Sequence, residues 1–347
     1  MRLKSILVKK IPSRIFLVFL IVLVCHSGSY AQAITPVDRK KLLAKEDSLI
    51  NYARELVTDS TTADRMVADS NFTRTLVRAM RIKNSFFFPF DSVQGIAKIY
   101  APDSTFRIIT WTIEFAELYP PRQRGVIQLR TRDGSLKLIP LRDYSEYTMN
   151  ADDSARTKNN WIGAMYYNMV KTEYNGRNYY TLFGYDSYST QSSKKWIEVM
   201  YFNQNMEPVF GGPFFTFTND NPPQKPKNRI SIEYKKDART LVNYIDDLGV
   251  ILVDHLVSET DEPDLKWTYV PDGDNEAYKW ENGKWVHQDK AFDYKVDMSG
   301  VDPYMGKPPV EAPILDNKGN KNEKKLMEKS DQNRKKEEPG LPVNNNQ

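Results

Sequence analysis

One cysteine and three histidines are all that this 347-residue chain offers to thiol, disulfide or zinc chemistry. A lone Cys25 cannot close a disulfide within the chain, and it stands in an N-terminal stretch that reads as a leader. If His26 leaves with that stretch, His255 and His287 remain, too few for a zinc site of three or four His/Cys ligands. His-Glu-x-x-His, Gly-x-Ser-x-Gly and a glycine-rich phosphate loop are also missing, so three common enzyme classes lose their signatures. No cofactor is expected. Long apolar runs are scarce too: the only extended one is Ile15 to Val24, about eleven residues with Cys25, against the roughly twenty that a helix needs to cross a bilayer.

That run follows Arg2, Lys4, Lys9, Lys10 and Arg14 without an acidic residue and precedes Ser29-Tyr30-Ala31, which puts small residues where a signal peptidase reads. The order predicts a signal peptide over 1–31, cut before Gln32, with Ala33 a second acceptable site. Lipidation of Cys25 is disfavoured because Val24 stands where a small residue is wanted. The protein is expected to be exported, to the periplasm, the outer membrane or beyond, with no transmembrane segment in the mature chain. The formal charge of +4 includes those five leader cations, so the mature chain carries about −1. The global basic field that nucleic-acid binding requires is then absent, and no nucleic-acid partner is expected.

Three textures succeed the leader. Over 32–90 the pattern is helical: Leu42, Leu43, Leu49, Ile50, Ala53, Leu56 and Val57 recur at three- and four-residue spacing and predict a helix near 37–57. Asp59-Ser60-Thr61-Thr62 supplies turn and capping oxygens, and a second helix to about Lys83 is expected to bury Met66, Phe72, Leu76 and Met80. Such a pair cannot bury both stripes alone and must pack on the next domain of the chain. From 91 to 304 the period becomes two, with about a dozen short strands between tight turns. Phe106, Ile108 and Thr110 are expected to face opposite to Ile109, Trp111 and Ile113. Asp133-Gly134, Asn175-Gly176 and Asn282-Gly283 predict hairpins. Val209 to Phe217 reads as one strand bent or bulged at Gly211-Gly212, and Pro271-Asp272-Gly273 as a turn between strands. The fold class is therefore mainly β, a large antiparallel meander or sandwich-like domain with an N-terminal helical pair; a partial β-propeller is the alternative. From 305 to 347 Lys, Glu, Asn and Pro dominate and predict a disordered polar tail.

Candidate chemistry is sparse. Asp254-His255, at the end of an apolar strand, is the best catalytic-looking pair, with Asp186 a further acid, but strand neighbours point to opposite faces. Asp272, Asp274 and Glu276 surround a glycine as calcium ligands would, without the twelve-residue loop spacing. Aromatics are conspicuous: Tyr179, Tyr180, Tyr185, Trp280 and Trp285 would suit a binding face if exposed, although alternating strand positions favour core packing.

Several segments taken together carry a resemblance: Phe106 to Trp111, Tyr179 to Asp186, Pro208 to Gly211, Val253 to Leu256 and Tyr269 to Gly273. Over roughly 95–287 the chain resembles a family of secreted Bacteroidota proteins of no established activity. The resemblance implies an envelope location in a Gram-negative cell and transfers no catalytic residue. The expected role is a non-catalytic binding or scaffold component with an envelope protein or polysaccharide partner; the alternative is a hydrolase of an envelope or extracellular polymer such as glycan.

Overall fold

Two threonines begin the helices. Thr35 Oγ1 accepts the Asp38 amide at 3.1 Å and Pro36 takes the first helical turn, where a missing N–H costs nothing, so α1 runs Pro36–Thr58. Thr61 caps Asp64 in the same way and opens α2, Thr62–Met80. The structure, a computed structural model, describes residues 33–115 and 120–291; the expected leader and polar tail lie outside them. Leu42, Glu46, Leu49, Ala53 and Leu56 form the buried stripe of α1. It is narrower than expected, for Leu43, Val57 and, on α2, Met66 are exposed. A helix in an outer layer buries one face only, and Glu46 enters that face because its Oε1 accepts the Ser92 amide at 3.0 Å. Among the described residues no helix is long and apolar enough to cross a membrane.

The helices cover an antiparallel meander of β1 (Ile96–Tyr100), β2 (Phe106–Ile113), β3 (Arg122–Leu129) and β4 (Lys137–Leu141). The alternation on β2 divides as the sequence predicts: Ile109, Trp111 and Ile113 join the helical core, Phe106 and Ile108 the core behind. Asp69 of α2 fastens the two layers by accepting Trp111 Nε1 at 2.8 Å and Arg124 Nη2 at 2.9 Å.

A second sheet takes β5 (Arg156–Thr157), β6 (Met165–Tyr174), β7 (Arg177–Asp186), β8 (Ser192–Phe202) and β9 (Pro208–Phe210) in the order β5-β9-β8-β7-β6, with β12 (Arg229–Lys235) also on β8. The third holds β10 (Phe215–Phe217), β11 (Gln224–Lys227), β13 (Val242–Ile245), β14 (Val250–Ser258), β15 (Tyr269–Glu281) and β16 (Lys284–Gln288), ordered β11-β10-β16-β15-β14-β13. Pairing is antiparallel throughout these sheets except between β10 and β16. Leu182 and Met200 of the second sheet pack towards the first, while Phe183, Ile197 and Val199 pack towards Phe215, Ile251 and Trp285 of the third. The fold is mainly β, with three sheets stacked in succession under a helical layer. Helices, not a further blade, cover the outer face of the first sheet.

Two expectations need correction. The segment 209–217 is not one strand: Gly211 and Gly212 adopt φ of +84° and +150°, which only glycine does easily, and the chain crosses there from the second sheet to the third. Pro271-Asp272-Gly273 is not a turn either. It lies inside β15, where the register against β14 slips and His255 alone stands opposite Asp272, Gly273 and Asp274. Asn175-Gly176 and Asn282-Gly283 do make two-residue hairpins with positive φ at both positions, and β3 and β4 pair across Asp133-Gly134 through a longer loop.

Candidate functional site

A cleft of about 1040 Å³ opens where the ends of β2 and β3, the segment 142–152, the turn from β7 to β8, and side chains of β8 and β12 converge. Turn chemistry builds its walls. Asp143 Oδ1 accepts the Ser145 amide at 3.0 Å and the Ser145 hydroxyl at 2.6 Å, and also the Gly163 amide at 3.2 Å. Its Oδ2 takes the Gln123 amide at 2.8 Å, so four donors hold this carboxylate. The approach is close enough that a Cβ on Gly163 would lie 2.3 Å from Gln123 Cβ, which explains the glycine. Gln123 Nε2 in turn donates to Asp186 Oδ1 at 3.2 Å, so one glutamine joins two carboxylates.

Asp186 ends β7 and is buried. Burial pushes its carboxyl up to about 6, with the charge of Asp143 acting in the same direction. Its Oδ1 also accepts the Tyr188 amide at 3.0 Å, which stabilises Tyr188 at a φ of +52°. The Tyr188 ring lies 3.4 Å from Lys194 Nζ, and Lys194 pairs with Glu233 at 3.3 Å. Lys236 Nζ closes the turn by donating to the carbonyls of Ser187 and Ser189 at 2.6 and 2.9 Å.

The opposite wall depends on a buried ion pair. Arg229 at the start of β12 is fully buried, pairs with Glu198 at 3.1 Å, and donates to the carbonyls of Ala151, Ser154 (3.0 Å) and Phe210 (3.3 Å). Glu198 also accepts the Tyr166 hydroxyl, which itself accepts Trp161 Nε1 at 2.6 Å. Asn228 adds two donations to Asp152 O, at 3.0 and 3.1 Å. Among the described residues two of the cleft keep polar atoms that are buried and unpartnered, Asp152 Oδ1 and Trp196 Nε1, and burial raises the Asp152 carboxyl.

The residues singled out from sequence fall elsewhere, with one exception, Asp186. Asp254 accepts the Leu241 amide at 2.6 Å and Asn275 Nδ2 at 2.9 Å, while His255 turns away to Asp272 at 2.8 Å. The strand separates them as alternation requires, and Asp186 belongs to another sheet. Asp272 and Glu276 engage different histidines: Glu276 accepts His287 Nε2 at 3.1 Å, and His287 Nδ1 meets Asp220 at 2.8 Å. Asp274 stands exposed beside them on β15, and among the described residues no group of three His, Cys, Asp or Glu could hold a metal ion. Tyr180 and Trp285 are buried, on Asp103 (2.8 Å) and Thr181 (2.9 Å), so neither offers a binding face. Tyr185 is half-buried against Ser193, whereas Tyr179 and Trp280 meet at 5.9 Å in a half-buried cluster with Tyr201 and Phe214.

Gln123, Asp143, Asp152 and Arg229 were missed by sequence reasoning. The one available signal was the Asp-x-Ser pattern at Asp143-Tyr144-Ser145, a turn former. Comparison with known proteins finds no matching family model, no matching curated protein and no matching solved structure.

Proposed function

We propose that this is an exported envelope protein, of the periplasm or the outer membrane surface, that works by binding a partner in the cleft between residues 142–152 and the β7–β8 turn. The observation that supports binding over catalysis is the state of Asp143. Its four donors commit it to the scaffold, so the carboxylate linked to Asp186 is not available as a partner base or nucleophile. The likeness to secreted Bacteroidota proteins and the leader-like N-terminus support the location.

Met149, fully exposed at the rim of the cleft, provides the test. A photo-crosslinking residue at Met149, in cells expressing the full chain, should trap an envelope component, whereas the same residue at exposed Val57 on α1 should not. Equal or no trapping from Met149 would sink the reading.

A polymer hydrolase is the second reading, and the raised carboxyl of Asp186 is what favours it, since an acid near 6 can donate a proton at neutral pH. Under that reading purified protein releases soluble fragments from envelope glycan and Asp186→Asn loses this activity. Under the binding reading neither protein releases any.

A further inference from the structure

The cleft lining also bears on ligand chemistry. Among the described residues five basic and five acidic side chains line it, so their formal charges balance. Most of the cations are already engaged: Arg124 with Asp69 at 2.9 Å, Lys194 with Glu233 and the Tyr188 ring, Lys236 with two carbonyls, and Arg122 beside Glu146 at 4.0 Å. Arg142 stands exposed at the rim. A polyanion or a polycation would have to displace these internal partners. An uncharged ligand would not.

Polar side chains that line the cleft include Asn150 and Thr190, and hydroxyl groups suit both because each donates and accepts. The rim adds aromatic surface: Tyr147 is 68 % exposed and packs on Tyr144 at 5.0 Å, and Tyr188 is 37 % exposed and fixed by Asp186 and Lys194. Rings with an apolar body and a polar tip suit a ligand that has an apolar C–H face and a hydroxyl edge. The volume lies just above the roughly 300–1,000 Å³ usual for small-molecule sites, which leaves room for several linked rings.

We infer that the cleft binds a segment of neutral, hydroxyl-rich glycan, with Tyr147 and Tyr188 as stacking surfaces. This rests on the proposed binding role of the cleft and specifies its ligand.

Calorimetric titration of the full-length protein separates the two claims. The probes are neutral hexasaccharides of glucose, mannose and N-acetylglucosamine, a hexamer of galacturonate, and an uncharged extended peptide. At least one neutral hexasaccharide should bind, and Tyr147→Ala and Tyr188→Ala should each weaken it roughly threefold to tenfold. Tyr147 is exposed, so its variant should keep the wild-type unfolding temperature, which guards against misreading a folding defect in the Tyr188 variant. Preferential binding of galacturonate or peptide overturns the ligand class and leaves the cleft as a binding site. Failure of all the neutral hexasaccharides with Met149 crosslinking intact does the same. Failure of every probe together with loss of that crosslink removes both claims.

Discussion

Two of the described arginines are completely buried, and their surroundings differ. Among the described residues Arg107 on β2 has no carboxylate partner. It donates to Gln128 Oε1 at 2.8 Å, to the carbonyls of Phe88 and Ser85 at 2.6 and 3.0 Å, and its guanidinium lies within 5.2 to 5.9 Å of the rings of Phe86, Phe90 and Tyr100. Arg229 has Glu198 as counter-ion besides three carbonyls. Both pin an irregular segment to a sheet, the Phe-rich 85–90 stretch in one case and the cleft wall at 151–154 in the other. Carbonyl dipoles and ring faces therefore suffice to hold a buried guanidinium, and the carboxylate by the cleft makes the second site more vulnerable to losing its cation.

The largest test of that difference is Arg229→Met. It strands the Glu198 charge and frees the 151–154 wall, and should lower stability by about 3–5 kcal/mol in urea unfolding while abolishing crosslinking from Met149. Arg107→Met strands only neutral acceptors, and a smaller loss of about 1–3 kcal/mol is expected, with the cleft still able to crosslink. Equal losses would erase the distinction. Adding Glu198→Gln to Arg229→Met removes the orphan charge and should recover roughly 1–2 kcal/mol of the first loss; no recovery would show that the carbonyl contacts, not the ion pair, carry the effect.

A smaller contrast of the same kind separates the two described histidines. Burial works against a charge on His287, yet hydrogen bonds to Glu276 and Asp220 outweigh it and raise its pKa. A raised folded value means that the stability from this pair is fully present below about pH 6.5 and is lost as pH rises through the folded pKa. The unfolding temperature should fall across that interval, and His287→Gln should flatten the fall. His255 is raised too, with Asp272 outweighing burial, but its side chain is 42 % exposed. Solvent screening leaves that pair little to contribute, and His255→Gln should barely change the profile.

Much of the fold was legible because its signals are local. The period-two alternation of β2, the Asn-Gly turns at 175 and 282, and the Thr61 cap each depend on neighbours within a few residues. The cleft was not legible, for a reason visible in its turns. Asp103-x-Thr105, Asp133-x-Ser135 and Asp143-x-Ser145 form the same hydrogen-bonded turn, and nothing in the chain ranks the third above the others. Only at Asp143 does the second carboxylate oxygen meet an amide from another strand, Gln123 N. Arg229 looked like any strand-opening arginine, and its burial results from Ala151, Ser154 and Glu198 arriving from distant parts of the sequence.

The sequence by itself therefore determined the elements: two amphipathic helices, antiparallel strands with their inward faces, and the hairpin turns that join most of them. These are fixed by backbone sterics and by the spacing of apolar side chains, which act over one or two turns of chain. Tertiary structure alone decided that Gly211-Gly212 is a crossing between sheets, that Pro271-Gly273 is swallowed by a strand, and that Asp186 meets Asp143 through Gln123. Each depends on which surfaces stack, and stacking sums many weak contacts between residues far apart in the chain, which no local pattern encodes.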